Sequence, residues 1–317
     1  ISNATAGTSF TNNGTKFLRE YFTSFDQNIG IVRLSSDKKN AIEFAMHFYR
    51  DENVEEYRIN GNEISISGFL PDGKGGRGIQ YAAKFKVLIK GGTLKDHDNE
   101  IIVKDANEAI VLFTATTSYY GHDPKEVVAT EIKNVEKEDF KRLLKSHTSK
   151  FEPLFDRVSF ELGDDDVKSE ITTDKRLASF YKDPSQDNGL AALYYQFGRY
   201  LTLSSTAPNV AKALPPNLQG LWAHQIQTPW NGDYHLNINA QMNHWGVEVN
   251  NLSEYHKPFI EMIKNIASQG TKTAKAYYDA PGWVVYMMSN IWGYTAPGEH
   301  ASWGASTASG WLCNHLW

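Results

Sequence analysis

Three polar side chains, His235, Asn237 and Asn239, are separated by single aliphatic residues in the segment His-Leu-Asn-Ile-Asn. Side chains alternate between the two faces of an extended chain, so these three groups are expected on one face. Leu236 and Ile238 are then expected to anchor the other face. The arrangement is typical of a site held by a rigid element. Because asparagine is also common in caps and turns, the segment alone leaves a purely structural role open.

The stretch 214–251 around this segment is rich in Asn, His and Trp and poor in Lys. Flat aromatic faces cover the C–H side of a pyranose ring, while amides and imidazoles pair with its hydroxyl groups. All eight tryptophans lie after residue 220. A single tryptophan more often belongs to a core, but eight within 96 residues, interleaved with polar residues, indicate a carbohydrate-binding surface.

The composition excludes several classes of function. The 317-residue chain carries a net charge of −5, so it has no global positive field that would attract nucleic acid. No stretch approaches the roughly 18 uninterrupted apolar residues of a membrane span, so no membrane insertion is expected. The single cysteine, Cys313, excludes a disulfide framework and a thiolate zinc cluster. We expect neither a metal nor a cofactor, and we expect polar core roles for His224, His244, His256 and His315.

The first part of the chain is predicted to be an antiparallel β-structure. Apolar and polar residues alternate in several segments that are enriched in β-branched and aromatic residues and are separated by Asn- and Gly-containing turns. Short strands at regular spacing predict a β-sandwich over residues 1–135. The segments are Ile29–Leu34, Ala41–Tyr49, Glu63–Phe69, Ala82–Ile89 and Ala109–Thr116.

The second part is predicted to be helical. Residues 136–186 form a linker that is helical in part, and its acidic run 164–166 is expected to be solvated. Beyond it, Asp187 or Asn188 can cap a helix. The apolar stripe of this helix comprises Leu190, Leu193, Tyr194, Phe197 and Leu201.

Two further helices are expected nearer the end of the chain. Pro258 suits the first turn of a helix whose apolar stripe is Phe259, Ile263 and Ile266. Gly270 is expected to interrupt or end this helix. The last helix starts at Thr307, and its apolar side comprises Trp311, Leu312 and Leu316.

Longer motifs surround the polar segment. In chain order they are Phe197–Leu201 (FGRYL), Leu214–Trp222 (LPPNLQGLW), Thr228–Trp230 (TPW), Asn237–Trp245 (NINAQMNHW), Asn251–Glu254 (NLSE), Ile291–Pro297 (IWGYTAP) and Trp311–Trp317 (WLCNHLW). In order and spacing this series resembles glycoside hydrolase family 95, the inverting α-L-fucosidases that act on α-1,2-linked fucose. Upstream, Arg19–Phe22 and Arg33–Leu34 resemble the N-terminal β region of that family.

The resemblance implies a multidomain chain, β first and α second. It consists of an N-terminal antiparallel β-supersandwich, a helical linker, and the first helices of an (α/α)6 barrel over residues 187–317. The catalytic acid of the family is a glutamate that lies further downstream, so we expect a missing C-terminal remainder of the same polypeptide. The chain starts with Ile1 and is therefore also expected to begin part-way into a longer product. The 317-residue stretch alone is expected to be inactive.

The resemblance also implies roles for individual residues. Asn237 and Asn239 match the two family asparagines that hold the attacking water. Glu248 and Glu254, the nearby carboxylates, are expected to be structural. The expected substrate-binding residues are His235, Trp222, Trp230, Glu299 and His300.

The expected function is removal of terminal α-linked L-fucose from a fucosylated oligosaccharide or glycan, with inversion. The resemblance implies a bacterial protein that is periplasmic or secreted. An α-L-galactosidase on the same scaffold and a catalytically incomplete carbohydrate-binding fragment are the open alternatives.

Overall fold

The computed structural model describes residues 1–163, 170–208, 210, 213–298 and 307–317, so the acidic run 164–166 lies outside the described residues. The chain divides into two compact units, Ile1–Pro153 and Leu154–Trp317. Unit 1 contains two antiparallel sheets followed by helices, and unit 2 is mainly helical. The predicted order of β-structure followed by helices is therefore confirmed.

All residues of unit 1 are described, and they form ten strands. The strands are β1 (Ala6–Asn12), β2 (Thr15–Thr23), β3 (Gly30–Ser36), β4 (Ile42–Met46), β5 (Glu56–Asn60), β6 (Glu63–Pro71), β7 (Arg77–Lys90), β8 (Thr93–His97), β9 (Glu100–Ala106) and β10 (Glu108–Thr117). The larger sheet has the order β1-β2-β3-β10-β7-β6-β5, and the smaller has the order β4-β9-β8. All neighbouring strands are antiparallel. Each of the five predicted strand segments is present.

The two sheets of unit 1 enclose an apolar core. Ile64 and Val87 of the larger sheet pack in one cluster with Ile101 and Val103 of the smaller sheet, and all four side chains are buried. Aliphatic residues pack well on pleated surfaces, which explains their enrichment in these strands. The edge strand β1 is different, because every one of its residues is exposed and its only strand partner is β2.

The other face of the larger sheet is covered by two helices, α1 (Pro124–Val135) and α2 (Phe140–Phe155). The sequence analysis predicts α2 but not α1, which lies in the segment assigned to the sandwich. Helix α1 begins with a standard signal, since Asp123 caps it and Pro124 occupies its first position. Its buried residues Ile132 and Val135 pack against the sheet in one cluster with Ile110 and Leu112 of β10.

The described part of unit 2 contains five α-helices and one short antiparallel pair of strands. The helices are α3 (Thr173–Lys182), α4 (Asn188–Ser205), α5 (Asn239–Trp245), α6 (Lys257–Tyr278) and α7 (Ala308–Cys313), and the paired strands are β11 (Tyr234–His235) and β12 (Met288–Ser289). Asp187 caps α4, as predicted, by accepting a hydrogen bond from the backbone N–H of Leu190. Of the described helices, none combines the length and the apolar character needed to cross a bilayer.

The buried face of α4 differs from the predicted stripe. Tyr194 is 79% exposed and Phe197 is also exposed, whereas Arg199 and Leu203 are buried. The reason is the Arg199 guanidinium, which donates hydrogen bonds to the carbonyl oxygens of Phe155 (2.6 Å) and Leu154 (3.2 Å). These bonds turn a charged side chain inward.

Helix α6 does not end at Gly270, contrary to the prediction. It continues to Tyr278, and the missing side chain at Gly270 makes room for the chain at Val284. A Cβ atom at residue 270 would lie 2.7 Å from the carbonyl oxygen of Val284. The predicted apolar side of the last helix is also wrong in part, because Leu312 is buried but Leu316 is exposed. Helix α7 ends at Cys313, and His315 occupies the buried position instead.

Candidate active site

The segment from Tyr234 to Asn239 is held by the core of unit 2 on one side only. Strand β11 pairs with β12, and the backbone N–H of Leu236 donates to the carbonyl oxygen of Met287 at 2.6 Å. Leu236 is fully buried in the cluster that contains Phe259 of α6. Asn237 is exposed and Asn239 is half-buried, so neither carboxamide is enclosed by apolar packing. Among the described residues, neither carboxamide has a hydrogen-bond partner.

The predicted alternation of exposed and buried side chains does not extend to Ile238. Leu236 anchors the segment as predicted, but Ile238 is 47% exposed and anchors nothing. Strand β11 ends at His235, and Ile238 is the residue that precedes the first turn of α5. Helix α5 is tied back to the segment by Gln241, whose side-chain amide donates to the carbonyl oxygen of Leu236 at 2.6 Å.

The imidazole of His235 has a carboxylate neighbour that the sequence analysis does not single out. Nε2 of His235 lies 2.9 Å from Oδ1 of Asp233, and both side chains are largely buried. The two atoms are close enough for a strong electrostatic contact but are not aligned as a hydrogen bond, and Oδ1 has no other partner among the described residues. Burial raises the pKa of Asp233, and the nearby His235 opposes this shift.

Trp230 also contacts His235, and its backbone has an unusual conformation. The ring centroids of Trp230 and His235 are 5.7 Å apart, with the two planes nearly perpendicular. Trp230 (φ 57°) and Asn231 (φ 58°) both lie in the left-handed region, which non-glycine residues rarely occupy. The indole is 66% exposed. Strained residues of this kind are found preferentially at binding and catalytic sites.

Trp222 lines a separate cavity of about 270 Å³ in unit 2. The cavity lies between the end of α4, the loop 216–220, and residues Asn243 and His244 of α5. The loop is fixed to β11, since the backbone N–H of Leu218 donates to the carbonyl oxygen of Asp233 (3.0 Å). The structure thus brings His235, Trp230 and Asp233 together. Trp222 lines the same cavity as the loop 216–220, and this loop contacts the group through the bond from Leu218 to Asp233.

Two predicted substrate-binding residues, Glu299 and His300, lie outside the described residues. Their role stays a prediction. The two nearby carboxylates are both engaged with other side chains. Glu248 pairs with His256 (3.0 Å) and with Ser253, and Glu254 pairs with Arg157 (2.7 Å).

Three buried histidines form a cluster, and one of them, His244, belongs to α5. Nε2 of His256 is 2.9 Å from Nδ1 of His315, and the ring of His244 stacks on Phe259 with centroids 4.1 Å apart. Burial lowers the pKa values of His244 and His315 to about 4. His244, His256 and His315 therefore have polar core roles, as expected, whereas His224 is exposed. Among the described residues, no group of three or more His, Cys, Asp or Glu side chains is arranged to hold a metal ion.

Comparison with known proteins identifies the class of unit 2. Residues 139–317 match the glycosyl hydrolase family 95 catalytic domain. Residues 1–122 match the N-terminal domain of glycosyl hydrolase family 65. Because the first match covers more than half of the chain, the chain belongs to glycoside hydrolase family 95, as its motifs predict.

Individual relatives agree with this assignment. The chain is 30% identical to alpha-L-fucosidase 2 of Arabidopsis thaliana over all of this chain and 41% of that protein. It is 30% identical to probable alpha-fucosidase A of Aspergillus niger over 97% of this chain and 40% of that protein. The chain therefore spans about two fifths of the length of these curated relatives.

A solved structure supports the fold. A putative kojibiose phosphorylase from the human microbiome superimposes with a TM-score of 0.59 at 13% sequence identity. The superposition covers 93% of this chain and 38% of that protein. At this identity the likeness concerns the fold alone.

Proposed function

We propose that the complete polypeptide removes terminal, α-1,2-linked L-fucose from glycans with inversion at the anomeric carbon. The observation that carries the proposal is the exposed Asn237 next to the half-buried Asn239, on a segment that Leu236 anchors in the core. The names of the relatives from Arabidopsis thaliana and Aspergillus niger support fucose as the sugar. We further propose that unit 2 forms the first part of an (α/α)6 barrel.

In the proposed mechanism, the carbonyl oxygens of Asn237 and Asn239 accept hydrogen bonds from the attacking water. The oxygen of that water bonds to C1 of fucose while the C1–O bond of the glycoside breaks on the opposite side. An inverting enzyme needs a general acid for the leaving oxygen and a base for the water, roughly 6.5–9.5 Å apart. An amide does not titrate, so we propose that a carboxylate from outside these 317 residues takes the proton of the water.

We propose that the general acid comes from a part of the complete polypeptide outside these 317 residues. Two of the described carboxylates around the segment have hydrogen-bonding or ion-pair partners, and the third is buried beside an imidazole. Glu248 pairs with His256, Glu254 pairs with Arg157, and Asp233 lies against His235. The proposal is also in keeping with the length of the relatives, of which this chain spans about two fifths.

We propose that His235 and Trp230 bind the sugar together and that Asp233 is a positioning residue. The carboxylate at 2.9 Å favours the tautomer of His235 that carries its proton on Nε2. Nδ1 is then an acceptor for a fucose hydroxyl. The exposed indole of Trp230 offers a flat face to the C–H side of the same ring. Trp222, Glu299 and His300 are proposed as further substrate contacts.

The test is hydrolysis of 2′-fucosyllactose by the complete polypeptide, followed by proton NMR of the first product anomer. Inversion gives β-L-fucose first, and initial appearance of α-L-fucose contradicts the mechanism. Asn239→Ala is expected to lower kcat by roughly 10²-fold or more, because the water loses its alignment. Asn134→Ala on the exposed face of α1 is the matched control and should turn over normally.

The same purified polypeptide distinguishes two alternative functions from the proposed one. Faster hydrolysis of an aryl α-L-galactoside than of an aryl α-L-fucoside would assign the galactosidase activity. Sugar binding without any hydrolysis would assign a carbohydrate-binding role. We also propose a periplasmic or secreted location, which fractionation of the source cells tests directly.

A further inference from the structure

A cleft of about 440 Å³ opens in unit 1, whose residues have no part in the proposed chemistry. One wall is the loop after β4, residues 47–54, and the other is the turn between β8 and β9. Tyr57 of β5 and Ile66 of β6 also line it. The cleft combines aromatic, cationic, amide and carboxylate side chains, a mixture that neither an apolar core nor an ordinary charged surface requires.

The loop wall is held firmly against the larger sheet. The ring of Phe48 packs on Phe85 of β7, with centroids 5.0 Å apart. The hydroxyl of Tyr81 donates to the carbonyl oxygen of Asn53 at 2.7 Å. The loop can approach this closely because residue 68 is glycine, since a Cβ there would lie 1.9 Å from the same oxygen. The loop therefore needs little ordering when a ligand binds.

This fixed loop presents two side chains to the cleft. Tyr49 is 76% exposed, although its neighbour Phe48 is anchored in the core. Arg50 lies over the ring of Tyr81, with its guanidinium carbon 4.7 Å from the ring centroid. Among the described residues, Arg50 forms no ion pair, and its buried Nε has no hydrogen-bond acceptor. Nε itself is buried, so it is the terminal NH2 groups of this cleft-lining guanidinium that can donate to a ligand.

The opposite wall supplies acceptors. Asp98 and Asn99 both adopt left-handed conformations (φ 50° and 62°), as a tight two-residue hairpin turn requires. The hydroxyl of Tyr57 donates to the carbonyl oxygen of Asn99 at 3.3 Å, which ties this turn to the larger sheet. Glu100 follows the turn and also lines the cleft. Its carboxylate lies 3.5 Å from Nδ1 of His47.

We propose that this cleft binds a neutral sugar residue of a glycan chain. The C–H face of the sugar ring stacks on Tyr49, and the guanidinium of Arg50 donates to ring hydroxyls. Asp98 and Glu100 accept hydrogen bonds from hydroxyls on the opposite edge. Asp98 lies 3.0 Å from Nδ1 of His97 and Glu100 lies 3.5 Å from Nδ1 of His47. With two carboxylates and one guanidinium along the cleft, an anionic ligand is disfavoured. The cleft would give the protein a second contact with a long or branched glycan, and this binding does not depend on hydrolysis by unit 2.

The experiment measures binding of the complete polypeptide to an immobilised fucosylated mucin by biolayer interferometry. No free sugar is added, because a neutral monosaccharide would also compete for the cleft, and the candidate catalytic site is unchanged in all the cleft variants. Tyr49→Ala is expected to weaken binding roughly tenfold through loss of the stacking surface. Tyr181→Ala, which removes a tyrosine that is 91% exposed in unit 2, is the matched control and should bind like the wild type.

A second variant guards against a folding defect. Asp98→Asn keeps the size of the side chain and tolerates the left-handed turn, but it weakens the acceptor, so a several-fold loss of affinity is expected. Equal affinity of the wild type and both cleft variants overturns the proposal, as does failure of the wild type to bind the mucin under these conditions. Because the readout is binding, an absence of fucosidase activity would contradict only the proposed function.

Discussion

The two units differ in what they bury. Among the described residues, the buried polar side chains of unit 1 are Ser67, Thr114 and His147. In unit 2 they are Asp187, Arg199, Ser205, Gln241, His244, His256, Thr273, Ser289, Thr295 and His315. Each buried polar group loses its hydrogen bonds to water and must replace them with bonds to protein groups. The free-energy cost of this desolvation is therefore larger in unit 2 than in unit 1. The difference shows that the stability of unit 2 depends more on partnered polar groups than that of unit 1 does.

The largest test of this contrast is Arg199→Leu. The substitution leaves the carbonyl oxygens of Phe155 and Leu154 without their donor and is expected to destabilise unit 2 by about 3 kcal/mol. Because all eight tryptophans lie in unit 2, their fluorescence during urea unfolding reports on that unit. The matched control is Arg33→Leu, whose partly exposed ion pairs with Glu20 and Glu108 lie in unit 1. An equal shift of the tryptophan transition in both variants would contradict the contrast.

The next test is the pH dependence of unit 2. His244 and His315 have pKa values lowered to about 4 in the folded chain, against 6.5 for the ordinary imidazole. The unfolded chain therefore binds more protons between pH 6.5 and pH 4, and stability falls as the pH is lowered through this range. The charged or titratable neighbours are His256 and, through it, Glu248.

The expected loss between pH 7 and pH 5 is about 2 kcal/mol, after discounting for the partial solvation of the cluster. Urea midpoints from tryptophan fluorescence measure it. His244→Phe retains the stacking on Phe259 and should flatten the dependence. A urea midpoint that is the same at pH 7 and pH 5 would show that protonation of the histidine cluster does not lower the free energy of unfolding.

A pair of glycine substitutions tests packing inside unit 2. Gly270→Ala places a methyl group against the carbonyl oxygen of Val284 and is expected to cost about 1–2 kcal/mol, although alanine is the better helix former. Gly198→Ala in α4 meets no atom within 4 Å and should stabilise by about 0.5–1 kcal/mol. In thermal unfolding, Gly270→Ala is expected to lower Tm and Gly198→Ala is expected to raise it. A higher Tm in both variants would mean that the backbone at Val284 can move away from the added methyl group.

The smallest expected change in stability comes from Asp233→Asn. Burial raises the pKa of Asp233, so its charged form is less favourable in the folded chain, and the neutral amide should leave stability equal or improve it slightly. KM for 2′-fucosyllactose should nevertheless rise several-fold, with a smaller change in kcat, because His235 loses its orienting carboxylate. Lower stability with an unchanged KM would assign Asp233 a purely structural role.

The fold was predictable where local pattern and burial agree. Strand β10 contains the apolar run Ala109–Phe113, and its two sets of side chains pack on opposite faces of the larger sheet. Helix α1 was missed although Asp123, Pro124 and the spacing of Ile132 and Val135 all indicate it. The orientation of α4 was not predictable from apolar spacing, because the buried Arg199 is stabilised by carbonyl groups 41 to 45 residues earlier in the chain.

The candidate site was predictable in part for the same reason. The sequence motif identifies Asn237 and Asn239, and the structure leaves both outside the apolar core. Asp233 carries no local signal, since only the folded chain shows that its carboxylate is buried against His235. The anchoring role of Ile238 was wrong because strand pairing stops at His235, which the alternating pattern does not reveal.

Strand β1 has a consequence for the order in which the sheet comes apart. It contributes no buried side chain and is held by one ladder of backbone bonds to β2 and by the exposed ring of Phe10, which contacts Phe17 and Arg19 of that strand. Its opening free energy is therefore expected to be far below that of the strands behind it. Amide protons of residues 6–12 should exchange with deuterium long before those of β7 and β10, and detachment of this ribbon should leave the rest of the sandwich intact.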